Sequence, residues 1–343
     1  MATLIEAPNA DRTVTANERT TMKAIVQEGS GSADALHLRE VEKPALEDGR
    51  VLVRVRAASV NALDWHTVHG GFLLTVISKL MRSKDYPIRG VDLAGVVEAV
   101  GKDVTGFAPG DEVFGSGRGA FAEWSAPVER GLVRKPKELS FAQAATIGVA
   151  ATTALQGLRD HGHVVPGQRV LIHGAGGGVG TYAVQLAKVL GAHVTAVTGP
   201  KNVDLVRALG PDELIDYSRE DVTRRADRYD VIYDIASTHP IGAMRRLLTP
   251  TGIFVQCGAS KRGWLAVFGR IIALVIRSRV FKQRVLMYMA KTNQTDLTYI
   301  GDLIVAGKVR PVIDRTYPLA ETAEAVRYLG TGQARAKVVI TID

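Results

Sequence analysis

Short apolar runs separated by tight turns fill the first part of the chain. Residues 23–27, 51–57, 93–100 and 112–114 are rich in Val, Ala or Ile, and Gly, Pro and Asp stand between them. This spacing is typical of short strands joined by tight turns, and it predicts a compact, barrel-like β domain. The first 21 residues are polar and precede the pattern, so we predict a disordered tail there.

The pattern changes near Ser140, after which strands alternate with helices. Residues 141–158 are rich in Ala with helical spacing, residues 169–173 predict a strand, and residues 178–190 predict a helix. Apolar strands separated by such helices predict a parallel sheet with right-handed crossovers. The closing run 337–342 is more like the opening β segment, so we expect the chain to return to its first domain. The predicted division is a tail at 1–21, a β domain at 22–142 and 308–343, and an α/β domain at 143–307.

Composition excludes several classes of protein. The chain has 343 residues, of which 46% are hydrophobic and 23% charged, as in an ordinary soluble globular protein. The single cysteine, Cys257, cannot form an internal disulfide or a four-cysteine zinc site. The N-terminus lacks the apolar core of a secretory signal, and no stretch has 18 uncharged apolar residues. We therefore expect a cytoplasmic protein.

The net charge of +8 is concentrated in one segment. Between residues 235 and 295 there are ten Lys and Arg residues and no Asp or Glu. No nucleic-acid recognition motif accompanies them, so nucleic-acid binding is not expected. Within this segment, residues 264–289 are also densely apolar. Three interpretations remain open for them: a wall of the substrate pocket, a dimer contact, or peripheral contact with an anionic membrane.

A glycine-rich turn between a predicted strand and a predicted helix points to a dinucleotide. The spacing Ala175-x-Gly177-x-x-Gly180 is the dinucleotide fingerprint with Ala in its first position. Small residues allow a tight turn and close approach of the backbone to a pyrophosphate, which the helix N-terminus then binds. The alternative is a structural glycine turn of another α/β fold. The predicted cofactor-binding residues here are Ala175, Gly176, Gly177, Gly178, Val179 and Gly180.

Cofactor choice depends on the end of the second strand. An NAD site normally has a carboxylate there for the ribose 2′-hydroxyl, and this chain has none. Thr198 and Lys201 suit a 2′-phosphate as donor and cation, which favours NADP(H), although Lys201 is alternatively a solvated helix residue. Tyr217 is a candidate cover for the adenine or its phosphate, or else a surface aromatic. Cys257 and Gly258 end the fifth strand, where the nicotinamide ribose is expected.

These segments together resemble the zinc-independent medium-chain dehydrogenase/reductases, in the quinone oxidoreductase (zeta-crystallin-like) branch. The matching residues are 57–70, 87–101, 107–115, 144–188 and 334–340. The resemblance implies an α/β fold class: a Rossmann doubly wound parallel sheet plus a GroES-like β-barrel domain, with NADPH in the cleft between them. It also implies a homodimer, and it assigns Thr152 and Lys337 to cofactor contacts.

The chain departs from the zinc-dependent relatives at both positions of the metal site. Those enzymes carry a Cys in the first site segment and Gly-His-Glu in the second. Here the first segment runs from Asn61 to Asp64 without a Cys, and the second reads Gly90-Val91-Asp92. A catalytic zinc needs three protein ligands, and Val cannot be one. We therefore expect no metal.

Without a metal, hydride transfer depends on positioning and on hydrogen-bond donors. Quinones and α,β-unsaturated ketones or aldehydes accept a hydride readily, and the resemblance implies the same substrates. Asn61 is the candidate for positioning the substrate or the nicotinamide, with a structural turn as its alternative. Asp64 and His66 are candidates for proton delivery, with solvent as the competing proton source. Asp92 is expected to anchor a turn.

Two other functions remain open. An enoyl-thioester reductase would need a long apolar slot and basic residues for a phosphate, which the segment 264–284 has the composition to supply. A non-catalytic, membrane-associated NADPH-binding protein is the alternative from a different class.

Overall fold

The structure, a computed structural model, describes residues 20–29, 31–69, 87–257 and 282–343. Within these ranges, no helix combines the length and the apolar character needed to cross a membrane. The strands are β1 Thr21–Gln27, β2 Leu36–Glu42, β3 Val51–Val60, β4 Asp92–Val100, β5 Glu112–Ser116, β6 Trp124–Ser125, β7 Leu132–Arg134, β8 Arg169–His173, β9 His193–Thr198, β10 Glu213–Asp216, β11 Tyr229–Asp234, β12 Leu248–Cys257, β13 Arg284–Tyr288, β14 Ile313–Pro318 and β15 Lys337–Thr341. The α-helices are α1 Ala62–His69, α2 Phe141–Ala144, α3 Gly148–Gln156, α4 Gly178–Val189, α5 Val203–Arg207, α6 Ile241–Arg245, α7 Gln294–Val305 and α8 Thr322–Gly330.

The second half of the chain forms a six-stranded sheet in the order β10-β9-β8-β11-β12-β13. Every pair in it is parallel. The order reverses between β8 and β11, and at such a point the carboxyl ends of the strands leave a crevice for a ligand. Strand β8 is almost wholly buried, as expected for a parallel strand covered on both faces.

The other large sheet has seven strands, with β14-β15-β3-β4-β5-β7 in order and β6 paired to β3. It combines strands from both ends of the chain, because β15 lies antiparallel to β3 and parallel to β14. A separate core of Val, Ile, Leu and Phe fills this part of the molecule. Strands β1 and β2 form an additional antiparallel pair.

Three features differ from the sequence-based expectations. The helix predicted over residues 141–158 is divided into α2 and α3, and a π-helical turn, Gly157–His161, follows. Thr21, predicted to end the tail, already belongs to β1, while residues 1–19 lie outside the described ranges. The end of the basic segment 264–289 forms strand β13 beside β12, because its apolar residues complete the sheet; residues 264–281 lie outside the described ranges.

Candidate active site

The turn between β8 and α4 is built without large side chains. It runs from Gly174 to Gly180, which we call the glycine turn, and Gly177 is the N-cap of α4. A Cβ on Gly180 would lie 2.1 Å from the carbonyl oxygen of Gly174, so only glycine fits there. The turn therefore brings the helix N-terminus and its N–H groups close to the sheet edge, where an anionic diphosphate can bind.

Two buried polar atoms, one of them beside the glycine turn, have no hydrogen-bond partner among the described residues. A Cβ on Gly176 would lie 2.6 Å from Thr198 Oγ1 and 2.5 Å from Asn202 Nδ2, so this side of the turn is closely lined. Asn202 Oδ1 is buried with no hydrogen-bond partner among the described residues, and so is Thr152 Oγ1 on α3. Such orphaned buried atoms call for an explanation, and a bound polar ligand supplies one. These residues fit a dinucleotide.

The rim of this region carries the remaining predicted cofactor residues. Lys201 is exposed, and its Nζ lies 3.4 Å from Gln333 Oε1. Tyr217 is 60% exposed, and its hydroxyl is 2.6 Å from where a Cβ of Gly199 would stand. Both side chains therefore stand at the end of β9.

A second group of polar residues is buried in the seven-stranded sheet. Asn61 follows β3, Asp92 begins β4 and Lys337 begins β15, and both β4 and β15 flank β3. Lys337 Nζ donates to Asn61 Oδ1 over 2.6 Å and lies 3.7 Å from Asp92 Oδ2. We call Asn61, Asp64, Asp92 and Lys337 the polar cluster.

Asp92 is the centre of the polar cluster. Its carboxylate accepts hydrogen bonds from the hydroxyls of Ser59 (3.2 Å) and Ser116 (3.1 Å), and from Asn61 Nδ2 (2.9 Å). It also accepts from the backbone N–H of Val149, over 2.8 Å, in the first turn of α3. The residue expected only to anchor a turn therefore fastens the helix α3 to three strands of the sheet.

Two groups of the polar cluster are strongly affected by burial. Burial raises the pKa of Asp64 to about 7, and the nearby charge of Asp92 adds to this effect, against the hydrogen bond from the Asn61 N–H and the charge of Lys337. That hydrogen bond to Asp64 Oδ2 is 2.8 Å long. Burial lowers the pKa of Lys337, against the opposing attraction of Asp92 and Asp64.

The polar cluster and the glycine turn meet at the start of β15. The backbone N–H of Ala336 donates to Gly176 O over 2.8 Å, and Ala336 forms a bridge with Gly177. A Cβ on Gly178 would lie 2.9 Å from Cδ of Lys337. A nucleotide bound at the turn would therefore have the lysine of the polar cluster beside it.

Two family models and several known proteins match this chain. Residues 47–137 match the alcohol dehydrogenase GroES-like domain, and residues 209–340 match the zinc-binding dehydrogenase family. The chain is 32% identical over 333 residues to the chloroplastic quinone-oxidoreductase QR1 of Triphysaria versicolor, covering 93% of this chain and 98% of that one. It is 32% identical over 339 residues to the NADPH-dependent alkenal/one oxidoreductase of Arabidopsis thaliana, covering 93% and 79%. The solved quinone oxidoreductase from Coxiella burnetii superposes with a TM-score of 0.84 at 30% identity, over 94% of this chain and all of that one.

The chain belongs to the medium-chain dehydrogenase/reductases, in the quinone oxidoreductase branch. Both the predicted family and the predicted fold class, a Rossmann sheet with a GroES-like domain, are confirmed. The protein is thus an oxidoreductase of a family that depends on pyridine nucleotides.

Within this oxidoreductase, Cys257 stands at the predicted end of β12, but its side chain is buried among tyrosines. Burial raises the pKa of the thiol to about 12, so it remains protonated at neutral pH. The hydroxyls of Tyr233 and Tyr288 are 2.6 Å apart, and Tyr288 donates to Thr153 O. Any cofactor contact at Cys257 would therefore involve its backbone. Gly258 lies outside the described residues.

His66 lies on α1, the same helix as Asp64, whose carboxylate accepts a hydrogen bond from the backbone of Asn61. The described ring contact of His66 is with Trp65, edge to face at 5.0 Å between centroids. Conversely, sequence reasoning missed Ser116 and Thr292, whose hydroxyls are 3.2 Å apart and extend the polar cluster from Asp92 to the segment after β13. Neither residue belongs to a recognisable sequence motif, so the local sequence does not predict that they are part of the site.

The donor atoms of this oxidoreductase do not form a metal site in the described residues. Among the residues that the structure describes, no three His, Cys, Asp or Glu side chains are grouped to hold a metal ion. At the position of the zinc motif, Asp92 is already satisfied by four hydrogen bonds and by Lys337. The polar cluster therefore does not fit a zinc ion.

Proposed function

We propose that this oxidoreductase uses NADPH to reduce quinones or α,β-unsaturated carbonyl compounds, without a bound metal. The observation that carries the proposal is the contact between the glycine turn and the polar cluster at Ala336 and Lys337. This contact supports the proposal because a buried cation and an amide then lie close to a nucleotide bound at the turn, on the side where we expect its nicotinamide. The names of the relatives, a quinone oxidoreductase and an alkenal/one oxidoreductase, support this substrate class.

NADPH is proposed over NADH from the residues that follow β9. The segment from Thr198 to Asn202 contains no carboxylate to repel a 2′-phosphate. Thr198 supplies a hydroxyl against Gly176, and Lys201 supplies a cation at the rim. When bound, NADPH supplies a hydride, which is two electrons and one proton.

Lys337 is proposed to stabilise the charge that develops on the substrate oxygen. An ammonium group has three N–H donors, and its described hydrogen-bond acceptors are Asn61 Oδ1 at 2.6 Å and Val60 O at 3.4 Å. Asp92 Oδ2, at 3.7 Å, attracts the ammonium from beyond normal hydrogen-bond length, so the third N–H is proposed to donate to a carbonyl or quinone oxygen. Buried donors that are already oriented lower the barrier more than donors that must reorganise.

Asp64 is proposed as the source of the second proton. Because its pKa is about 7, the carboxyl group exchanges protons near neutral pH. Its hydrogen bond to the Asn61 backbone keeps it next to the residue that Lys337 contacts. Reduction then balances for both classes. With an α,β-unsaturated carbonyl, the hydride forms the new C–H bond and one proton neutralises the enolate. With a quinone, the hydride adds to one oxygen and the proton to the other, which gives the hydroquinone.

A turnover panel tests the proposal. Purified enzyme treated with a chelator is mixed with NADPH and, in turn, 1,4-benzoquinone, a medium-chain alkenone and crotonyl-CoA. We expect NADPH oxidation with the quinone or the alkenone, and a loss of at least about tenfold in kcat for Lys337→Met. Turnover with crotonyl-CoA alone would indicate a thioester reductase. Tight NADPH binding without any turnover, or a strict zinc requirement, would contradict the proposal.

A further inference from the structure

A buried histidine and aspartate lie next to the glycine turn, outside the polar cluster. His173 ends β8 and Asp234 ends β11, and the two residues pair in register between the adjacent strands. His173 Nδ1 is 2.8 Å from Asp234 Oδ1. Both side chains are at least 97% buried. Asp234 Oδ2 is also buried and has no hydrogen-bond partner among the described residues.

The pair holds the loop that follows β11 against the glycine turn. Ile235 N donates to His173 O over 2.9 Å, and a Cβ on Gly174 would lie 3.1 Å from Ala236 Cβ. Ser237, at φ 52°, has the left-handed backbone that side chains rarely adopt, and its N–H donates to Asp234 Oδ1 over 2.9 Å. The loop is therefore fixed at the point where the strand order reverses, beside the expected nucleotide.

The hydrogen bonds continue from His173 to an exposed hydroxyl. His173 Nε2 lies 3.3 Å from Thr238 Oγ1, and Thr238 is exposed to solvent. A carboxylate only accepts hydrogen bonds, so Asp234 requires the imidazole proton to be on Nδ1. In that tautomer Nε2 is an acceptor, and the Thr238 hydroxyl must donate its proton to it.

We propose that Asp234 and His173 orient the Thr238 hydroxyl so that it accepts a hydrogen bond from a ribose hydroxyl of the bound dinucleotide. This inference rests on the proposed nucleotide binding at the glycine turn. The Thr238 proton is directed inward to His173. His239 Nδ1, 3.2 Å from the same oxygen, can donate to only one of its two lone pairs, so the other lone pair is left for a ligand. A ribose hydroxyl can donate to such an oxygen, whereas a phosphate, which only accepts, cannot. Asp234 and His173 are positioning residues for this contact.

The first test compares Thr238→Val with Thr238→Ser. Valine keeps the shape and removes the hydroxyl from an exposed position, so the variant is expected to fold. NADPH affinity, measured by isothermal titration, is expected to fall about five- to tenfold in T238V and to stay within about twofold in T238S. Unchanged affinity in T238V would overturn the proposal.

Fragments identify the group that is recognised. 2′,5′-ADP carries only the adenosine ribose, and reduced nicotinamide mononucleotide carries only the other ribose. We expect the T238V loss with one of these fragments and none with inorganic pyrophosphate. An equal loss with pyrophosphate would mean that Thr238 donates to phosphate, and the proposal would be wrong.

The positioning role needs a separate readout. Asp234→Asn keeps a carbonyl acceptor for His173 and is expected to bind NADPH within about twofold of the wild type. Asp234→Leu removes the acceptor and is expected to match the loss in T238V, yet to add nothing in the D234L/T238V double variant. Additive losses would show that Asp234 acts only on the general fold. Wild-type protein that binds no dinucleotide would overturn the proposed function as well, whereas normal wild-type binding with unaffected variants would overturn this inference alone.

Discussion

The glycine turn and the polar cluster meet at Ala336 and Lys337, but they are constructed in opposite ways. In the turn, Gly176 and Gly180 stand where close contacts leave no room for a side chain, so that backbone atoms and a helix end can approach a ligand. The cluster buries two carboxylates, an amide and an ammonium, and joins them by hydrogen bonds. Nucleotide binding thus depends on the absence of side chains at key positions of the glycine turn, whereas the proposed chemistry depends on charged groups that are buried away from water. Substitutions in the glycine turn should therefore mainly reduce nucleotide affinity, whereas substitutions in the polar cluster should mainly reduce stability.

The largest effect is expected in the glycine turn. Gly180→Ala places a methyl group 2.1 Å from the Gly174 carbonyl, and this backbone atom cannot move without opening the turn. We expect NADPH affinity to fall by at least about 100-fold and the melting temperature to decrease. Fluorescence titration and thermal unfolding measure the two effects.

Gly242→Ala is the matched control, because no described residue apart from its own neighbours in the helix lies within 4 Å of the added Cβ, and its φ is ordinary. It should bind NADPH normally. If G180A did so as well, close approach of the backbone would not be the basis of the turn.

Substitutions in the polar cluster should mainly lower the free energy of unfolding. Asp92→Ala leaves Lys337 as a buried cation without its carboxylate and removes the acceptor for the first turn of α3. Breaking a buried pair in this way costs about 3–5 kcal/mol of the free energy of unfolding. Urea denaturation measures it.

Asp204→Ala serves for comparison, since Asp204 is 96% exposed and pairs with Arg207 at the surface. Asp204→Ala should lower the free energy of unfolding by less than about 1 kcal/mol. Equal costs for D92A and D204A would contradict the structural role given to Asp92.

Asp64 makes the stability of the cluster depend on pH. Its pKa is about 7 in the folded protein against an ordinary 3.8, so the folded state holds this proton more tightly. The stabilisation is complete below about pH 4 and is lost as the pH rises to about 7. We expect the unfolding free energy of the wild type, relative to Asp64→Asn, to fall over this range by up to about 4 kcal/mol. Urea denaturation at a series of pH values measures it.

The pKa of Asp296 is shifted in the opposite direction from that of Asp64. Burial raises its pKa, but hydrogen bonds from Gln156 and Arg159 outweigh that effect and lower it overall. Its contribution should therefore be lost as the pH falls, not as it rises. If Asp64→Asn left the pH profile unchanged, the buried carboxyl would not titrate as described.

The smallest effect is expected at the exposed rim of the nucleotide site. Lys201→Ala removes one solvated cation, so NADPH affinity should fall only about three- to tenfold, while NADH affinity stays the same. Titration of both nucleotides measures the ratio. An unchanged NADPH affinity would remove Lys201 from the proposed phosphate site.

The sequence predicted the turn well, because its requirements are local. Strand β8 was predicted at its observed bounds, and the helix after the turn within one residue. Each follows from short-range alternation, and small residues are readable as a motif. The family resemblance supplied the rest of the fold class.

The polar cluster could not be derived in the same way. Lys337 and Asn61 are 276 positions apart, and only the resemblance suggested that both serve the site. The division of the predicted helix 141–158 has a similar cause. Asp92, which comes from a strand 57 positions earlier, holds Val149 N and fixes where α3 begins. No window of local sequence contains that partner.

The position of β15 also constrains the order in which the two large sheets can fold during synthesis. This strand lies between β3 and β14 in the sheet, and its first residue touches a carbonyl 277 positions earlier in the chain. On the ribosome, the seven-stranded sheet therefore cannot be completed until residues 337–341 have emerged. The six-stranded sheet, which closes with β13, is complete before them. We expect nascent chains to acquire a folded nucleotide half while the other half still exposes the edge of β3, the interval in which chaperones would be needed most.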